Sequence, residues 1–271
     1  KLRELEYASF QLEKSESPKA KDYNKWLKLL IAPGGSLGGA RPKASVIDER
    51  GELWIAKFPS SHDDLNIGAW EFLVYQLAVM AKINISEAQI KRFTGRHDTF
   101  LTKRFDRLGN KRIQFASAIT LLDKQDGDGA LQGVSYLDIV DFLIQHGSQI
   151  EEDLEELWRR IVFNICVSNT DDHLRNHGFL LTDKGWKLSP AYDINPSETG
   201  NGLKLNISQD DNSQNLELAL EVSEYFRLTK SKSKKILTEV SKAACQWKNL
   251  AKKSFSQNEI SRMENAFRVV K

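Results

Sequence analysis

Residues 167–179 read VSNTDDHLRNHGF and follow directly on the apolar run WRRIVFNICV. A carboxylate such as Asp171 accepts a proton when it sits within hydrogen-bond reach of a nucleophile. An amide oxygen such as that of Asn176 is a hard ligand suited to magnesium. The two residues are five apart, so one short loop can serve a hydroxyl and a cation from a single anchor. A surface turn rich in Asp and Asn has the same composition, and the spacing alone does not separate the two readings. His173 and His177, four apart, invite a zinc site. That geometry needs one helical face, whereas HLRNHG has loop character, and no third His or Cys has an obvious place.

Asp-x4-Asn is the spacing of a protein-kinase catalytic loop, in which the Asp takes the substrate proton and the Asn holds magnesium. A second metal-binding acid then belongs on a following hairpin, where PAYDIN supplies Asp193. Tyr192-Asp193-Ile194 stands where kinases usually carry Asp-Phe-Gly, and SNTD replaces the usual His-Arg-Asp. Upstream, the strand ELWIAKF places Leu53, Ile55 and Lys57 on one face and Trp54, Ala56 and Phe58 on the other. A lysine among aliphatic neighbours is costly unless paired, and Glu71 on the next helix is the candidate partner. The preceding PGGSLGGARPK lets backbone N–H groups approach phosphate oxygens. It lacks the Gly-Lys-Ser/Thr of a Walker A loop.

The elements that must position these groups follow from periodicity. LKLLIA and ASVID read as strands around the glycine cluster, and ELWIAKF as another. DLNIGAWEFLVYQLAVMAKI reads as a helix with Asp64 as N-cap and an apolar stripe of Phe72, Leu73, Leu77 and Met80. QIKRF and TFLTKRFD return to strand. Beyond Gly109 helices take over: VSYLDIVDFLIQHG, then EEDLEELWRRIVFNICVSN with Leu154, Leu157, Trp158, Ile161, Val162 and Ile165 on one face. GFLLT-DKG-WKLSPAYDI reads as a hairpin, and helices fill the rest from about Leu216. The expected fold is α+β and bilobal, protein-kinase-like, with a strand-rich N-lobe over residues 1–107, a helical C-lobe over 108–271, and a ligand cleft between them.

Composition adds exclusions. The chain has 271 residues, enough for two lobes, with 39 basic and 37 acidic residues that leave a net charge of +2. That balance makes no case for a nucleic-acid binder overall. Residues 230–271 are basic, which a solvated helix face explains. DKQDGDGALQG lacks the spacing and closing Glu of a calcium loop and reads as a turn. Two cysteines make no disulfide framework, and Cys166 reads as a buried free thiol. No apolar run is long enough to span a bilayer, so no membrane partner is expected, and the reducing cytoplasm is the expected compartment.

GGSLGGARPKA, IAKFP, LTKRFDR, NTDDHLRNHGF and LSPAYDINPS together resemble the HipA-like serine/threonine kinases, the toxins of bacterial toxin–antitoxin systems. The resemblance runs from about residue 30 to about residue 200. It implies transfer of the ATP γ-phosphoryl group to a protein hydroxyl with Mg2+, Asp171 acting as base and Asn176 and Asp193 as metal ligands. It assigns ATP contacts to Gly38, Gly39, Ala40, Arg41, Lys43 and Lys57. Lys103 and Phe105 would offer backbone groups to adenine, Asp106 would lie near the ribose, and His173 and Tyr192 would line the pocket. Ser36 matches the glycine-loop serine whose autophosphorylation switches such kinases off, consistent with charge repulsion beside a phosphate cradle. The implied substrate is an aminoacyl-tRNA synthetase. The implied partner is a helix-turn-helix antitoxin, with DNA contacted indirectly through it. Family members of fuller length carry an N-terminal subdomain for which this chain has only about 30 residues.

Two other readings compete. A catalytically silent nucleotide-binding module in an antitoxin–DNA repressor complex would bind ATP without transfer. A metal-dependent hydrolase built on Asp171, Asp172 and His173 leaves the glycine loop and Lys57 without a role.

Overall fold

The computed structural model describes residues 2–14, 41–93, 95–109 and 111–270. The LKLLIA strand and the glycine-loop residues Ser36, Gly38, Gly39 and Ala40 lie outside them. The chain divides into two compact units, one of Lys1–Phe72 and Ser86–Asn110, the other of Leu73–Ile85 and Lys111–Lys271.

The first unit is built on helix α1 (Leu2–Lys14) and four strands, β1 (Lys43–Ile47), β2 (Leu53–Lys57), β3 (Ala88–Lys91) and β4 (Thr99–Lys103), in the antiparallel order β1-β2-β4-β3. Alternation along β2 buries Trp54 and Ala56, and Phe58 just beyond it, in a cluster with Leu5, Ala8 and Leu101. Helix α1 therefore covers the face opposite Lys57. Its buried Glu6 accepts a 2.6 Å hydrogen bond from Thr99 Oγ1.

Helix α2 (Ile67–Met80) begins later than the sequence suggests. Asn66, not Asp64, caps it. The Asn66 carbonyl accepts from Trp70 N at 3.0 Å, its side-chain Oδ1 from Ala69 N at 3.4 Å, and its Nδ2 donates to Asp98 Oδ2 at 2.6 Å. The buried face is Ala69, Trp70, Leu73, Val74, Leu77 and Ala78, while Met80 is 48 % exposed. The 3.6-residue period, phased on Trp70, carries Met80 off that face. A Cβ on Gly68 would lie 2.2 Å from the Asp98 carbonyl oxygen, so only glycine lets this helix start against β4.

Short strands β5 (Arg107–Leu108) and β6 (Lys111–Arg112) follow. The second unit then holds β7 (Phe115–Ser117) and helices α3 (Ala118–Leu121), α4 (Tyr136–His146) and α5 (Ile150–Val167). Strands β8 (Gly178–Thr182) and β9 (Gly185–Leu188) come next, with β7 pairing onto β8. Helices α6 (Leu216–Glu221), α7 (Lys230–Ala244), α8 (Trp247–Ala251) and α9 (Gln257–Met263) complete it. A capping box at Ser135 starts α4. The β8–β9 turn forms where DKG predicts it: Gly185 has φ 130°, and a Cβ there would meet the His146 carbonyl at 2.6 Å.

Helix α5 is the central element, and it is buried all round from Leu157 to Val167 rather than along one face. The charges this submerges are paired. Arg159 donates to Ala81 O, Glu155 and Glu239, and Arg160 to Glu156, Asn84 O and Ser189 O. Cys166 is a buried free thiol pushed up to about 12 by burial, which leaves it inert as a nucleophile.

Asp153, in the first turn of α5, accepts from Leu188 N of β9 at 2.9 Å. Burial raises its pKa from the ordinary 3.8 to about 6, against the opposing hydrogen bond from Leu188 and the charges of Arg160 and Lys187. Between those two values the native state holds a proton that the unfolded chain has released, so stability falls as pH rises through the window. Asp153→Asn mimics the protonated acid and is expected to remove this slope. Urea unfolding should show the variant level with the wild type near pH 4 and more stable at pH 7.5, by on the order of 2 kcal/mol after allowance for screening.

Candidate functional site

In the first unit Lys57 Nζ lies 2.5 Å from Glu71 Oε1, with both side chains nearly buried, at 13 % and 7 % exposure. The ammonium also sits 5.6 Å from the Phe100 ring centroid, within cation–π range. Strand pairing sets Lys43 directly opposite Lys57. Like charges facing each other across a ladder are unfavourable, and Glu71 offsets the charge of Lys57.

Other first-unit candidates are engaged within the protein. Arg41 forms a two-bond fork with Asp63, which also accepts from Ser60 N. The Lys103 side chain pairs with Glu52, and its N–H donates to Glu87 O at 2.8 Å, so that N–H is already committed within the unit. Both Asp106 oxygens accept from Arg104, at 2.8 and 2.7 Å, and one also from Arg107. Burial pushes the Asp106 carboxyl up, but the hydrogen bonds and charges of the two arginines outweigh it and hold the group below its ordinary value. Phe105 lies between these two paired residues of the strand exit.

In the second unit the loop begins where α5 ends, at Ser168, which adopts a left-handed φ of 49°. Asp171 is exposed, and its carboxylate has no hydrogen-bond or ionic partner among the described residues. Its backbone oxygen accepts from His173 N at 2.9 Å and from Asn176 Nδ2 at 3.1 Å. Spending the Asn176 amide hydrogens on Asp171 leaves Oδ1 as the group able to meet a cation.

Asp172 points the other way, into the core. Its Oδ2 accepts from Tyr136 Oη at 2.7 Å, Asn164 Nδ2 at 2.7 Å and His177 Nε2 at 2.9 Å. Burial works to raise its pKa, and the charge and hydrogen bond of His177 together with the Tyr136 hydroxyl bring it below the ordinary value. His177 is thus taken by Asp172. Among the described residues no group of three or more His, Cys, Asp or Glu is placed to hold a metal.

Asp193 occupies a left-handed turn, φ 59°, and accepts from Asn195 Nδ2 at 3.3 Å. Tyr192 donates its hydroxyl to Arg175 O at 2.7 Å and packs edge-on to Phe115. Asn176 and both chain neighbours of Asp193, Tyr192 and Ile194, line one small cavity with Arg160, Asn164, Asp172 and His177. Among the described residues, three buried polar atoms of the loop and the turn have no partner: Nδ1 of His173, Nδ1 of His177 and Oδ1 of Asn195. Buried orphans of this kind mark a site completed by water, ion or ligand. Sequence reasoning missed Asn164, Asn169 and Asn195. A polar residue inside the apolar run VFNICV was the available signal for the first.

The model of the HipA-like C-terminal domain matches residues 35–247. The chain belongs to the HipA-like C-terminal domain family. A "Putative kinase" of Haemophilus influenzae is 28 % identical over 180 residues, covering 59 % of this chain and 52 % of the relative. "Putative kinase Y4mE" of Sinorhizobium fredii is 25 % identical over 184 residues, covering 59 % and 41 %. The chain thus spans about half the length, or less, of these curated relatives.

Two solved structures share the fold. HipA of Shewanella oneidensis MR-1, solved with HipB and its operator DNA, aligns with a TM-score of 0.68 at 18 % identity, over 88 % of this chain and 64 % of that one. The Helicobacter pylori proinflammatory kinase CtkA aligns with a TM-score of 0.59 at 14 % identity, over 88 % and 90 %. The HipA-like chain is therefore an α+β protein of kinase-like fold, with a strand-rich first unit and a helix-rich second one. No helix among the described residues is long and apolar enough to cross a membrane.

Proposed function

We propose that this HipA-like chain is the catalytic part of an ATP- and Mg2+-dependent protein serine/threonine kinase. The observation that carries the reading is the buried Lys57–Glu71 pair, since kinases need a strand lysine held by a helix glutamate to grip the nucleotide phosphates. The second unit supports it with an exposed carboxylate at Asp171, without a partner among the described residues, and with an amide and an acid suited to a hard cation. One amide oxygen and one carboxylate fit magnesium, which keeps its remaining positions for phosphate and water.

In this reading Asn176 and Asp193 hold the magnesium, which supplies charge neutralisation on the phosphates when bound. Asp171 accepts the proton of the substrate hydroxyl at its carboxylate. Lys57, with Lys43 beside it, attracts phosphate oxygens, and Glu71 holds the Lys57 ammonium in place. His173 and Tyr192 border the nucleotide, and Phe105 with the strand exit at Asp106 borders its base and sugar. Ser36 is the proposed site of self-phosphorylation, with Gly38, Gly39, Ala40 and Arg41 forming the phosphate cradle it would disrupt. The proposed substrate is an aminoacyl-tRNA synthetase. The proposed partner is a helix-turn-helix antitoxin through which DNA is reached, as the HipB and operator complex of the Shewanella relative suggests.

Intact-mass spectrometry after incubation with ATP tests the reading directly. The expected result is a phosphorylated chain with Mg2+ present and none after EDTA, restored by added Mg2+. ATP binding without any transfer, to self or to a synthetase panel, would instead make the chain a nucleotide-binding module.

A further inference from the structure

A continuous hydrogen-bond relay joins the Asp171 loop to the Asp193 turn. Asn164 Nδ2 donates to Asp172 Oδ2 at 2.7 Å, and Asn169 Nδ2 donates to Asn164 Oδ1 at 3.1 Å. Asn195 N then donates to Asn169 Oδ1 at 3.3 Å, and Asn195 Nδ2 to Asp193 Oδ1 at 3.3 Å. Asn169 is 1 % exposed, and both ends of its amide are spent. Donor and acceptor must both be present, which is why an amide rather than an ionised carboxylate suits the position.

The same two segments meet at two further points. Ser197 N donates to Ser168 O at 3.0 Å, and Gly200 lies so close to Thr170 that a Cβ would fall 2.1 Å from its Oγ1. These contacts hold the backbones together. The amide relay runs on to the Asp193 carboxylate. Buried hydrogen-bond networks of this kind fix geometry, and outer partners of metal-binding groups tune how well those groups bind.

We propose that Asn169 is a positioning residue that sets the Asp193 carboxylate in register with the Asp171–Asn176 loop, by bridging Asn164 and the backbone of Asn195. The proposal rests on the kinase reading above and names a residue that touches neither substrate nor metal. Its effect falls on metal affinity and turnover rather than on nucleotide affinity.

The test uses the full chain, with Mn2+ as a spectroscopic probe read by electron paramagnetic resonance in the presence of the non-hydrolysable ATP analogue AMP-PNP. Asn169→Ala is expected to weaken Mn2+ binding about tenfold or more, in line with loss of an outer metal-site partner. It should lower kcat in proportion and leave the KM for ATP within about threefold, an effect confined to correctly placed metal. Asn169→Asp, which keeps the acceptor and loses the donor, should show the same split. Val240→Ala, a buried change in α7 outside the relay, controls for general loosening. Mn2+ binding and kcat in Asn169→Ala no worse than in Val240→Ala would overturn the positioning role while leaving the kinase reading intact. A wild-type chain that binds no Mn2+ with AMP-PNP overturns both.

Discussion

Asp171→Asn is expected to leave the fold unchanged and to slow phosphoryl transfer by about 100- to 10,000-fold, the usual worth of a positioned general base. The fold is spared because only the backbone of Asp171 is used internally, as acceptor for His173 N and Asn176 Nδ2. Its side chain is exposed and without a partner among the described residues, and asparagine has the same shape without the basic oxygen. Single-turnover transfer followed by intact mass gives the rate, and thermal unfolding with and without AMP-PNP checks that nucleotide binding survives. An unchanged rate would remove Asp171 from the reaction.

The neighbouring residue has the opposite fate. Asp172→Ala is expected to cost about 3–5 kcal/mol in urea unfolding at pH 7, as removal of one partner from a buried charged network does. Three buried donors, Tyr136 Oη, Asn164 Nδ2 and His177 Nε2, lose their common acceptor at once. The folded-state pKa of Asp172 lies below its ordinary value. Its contribution is therefore fully present above the unfolded pKa near 3.8 and disappears as pH falls through the folded one. The gap between wild type and variant should accordingly narrow only in strong acid. A loss under about 1 kcal/mol at pH 7, the worth of a single ordinary hydrogen bond, would contradict the hub.

Two adjacent aspartates with such different roles show how far sequence reading reaches. Asp171 is distinguished by its distance from Asn176, a local property visible in one line of text. Asp172 is defined by Tyr136, 36 residues upstream, and no local pattern reports that contact. The strand and helix carrying Lys57 and Glu71 were legible because their periods of 2 and 3.6 are strong, whereas the hairpin read through to Asp193 ends at Leu188 and leaves Asp193 in a left-handed turn. Boundaries were less so. Asn66 displaced Asp64 as cap because it also ties to Asp98, a tertiary bond. Helix α1 went unread although Leu2, Leu5 and Leu12 share its buried side, since nothing upstream pointed to a sheet face in need of cover. Arg41 and Asp106 carry charge where the resemblance asks for it, yet their ion pairs with Asp63 and with Arg104 and Arg107 come from folding, which spacing does not encode.

The segment behind Asp193 is held from far along the chain. Arg262 forks onto Glu198, Asn265 donates to the Glu198 carbonyl, and Arg268 reaches both Gly200 O and Ser168 Oγ. Arg262 is made 64 residues after Glu198, so at ordinary ribosomal speed a nascent chain waits roughly 3–13 s before that brace exists. A polypeptide cut short before Arg262 would keep every acidic and amide group of the loop pair and lose the Arg262, Asn265 and Arg268 braces behind it.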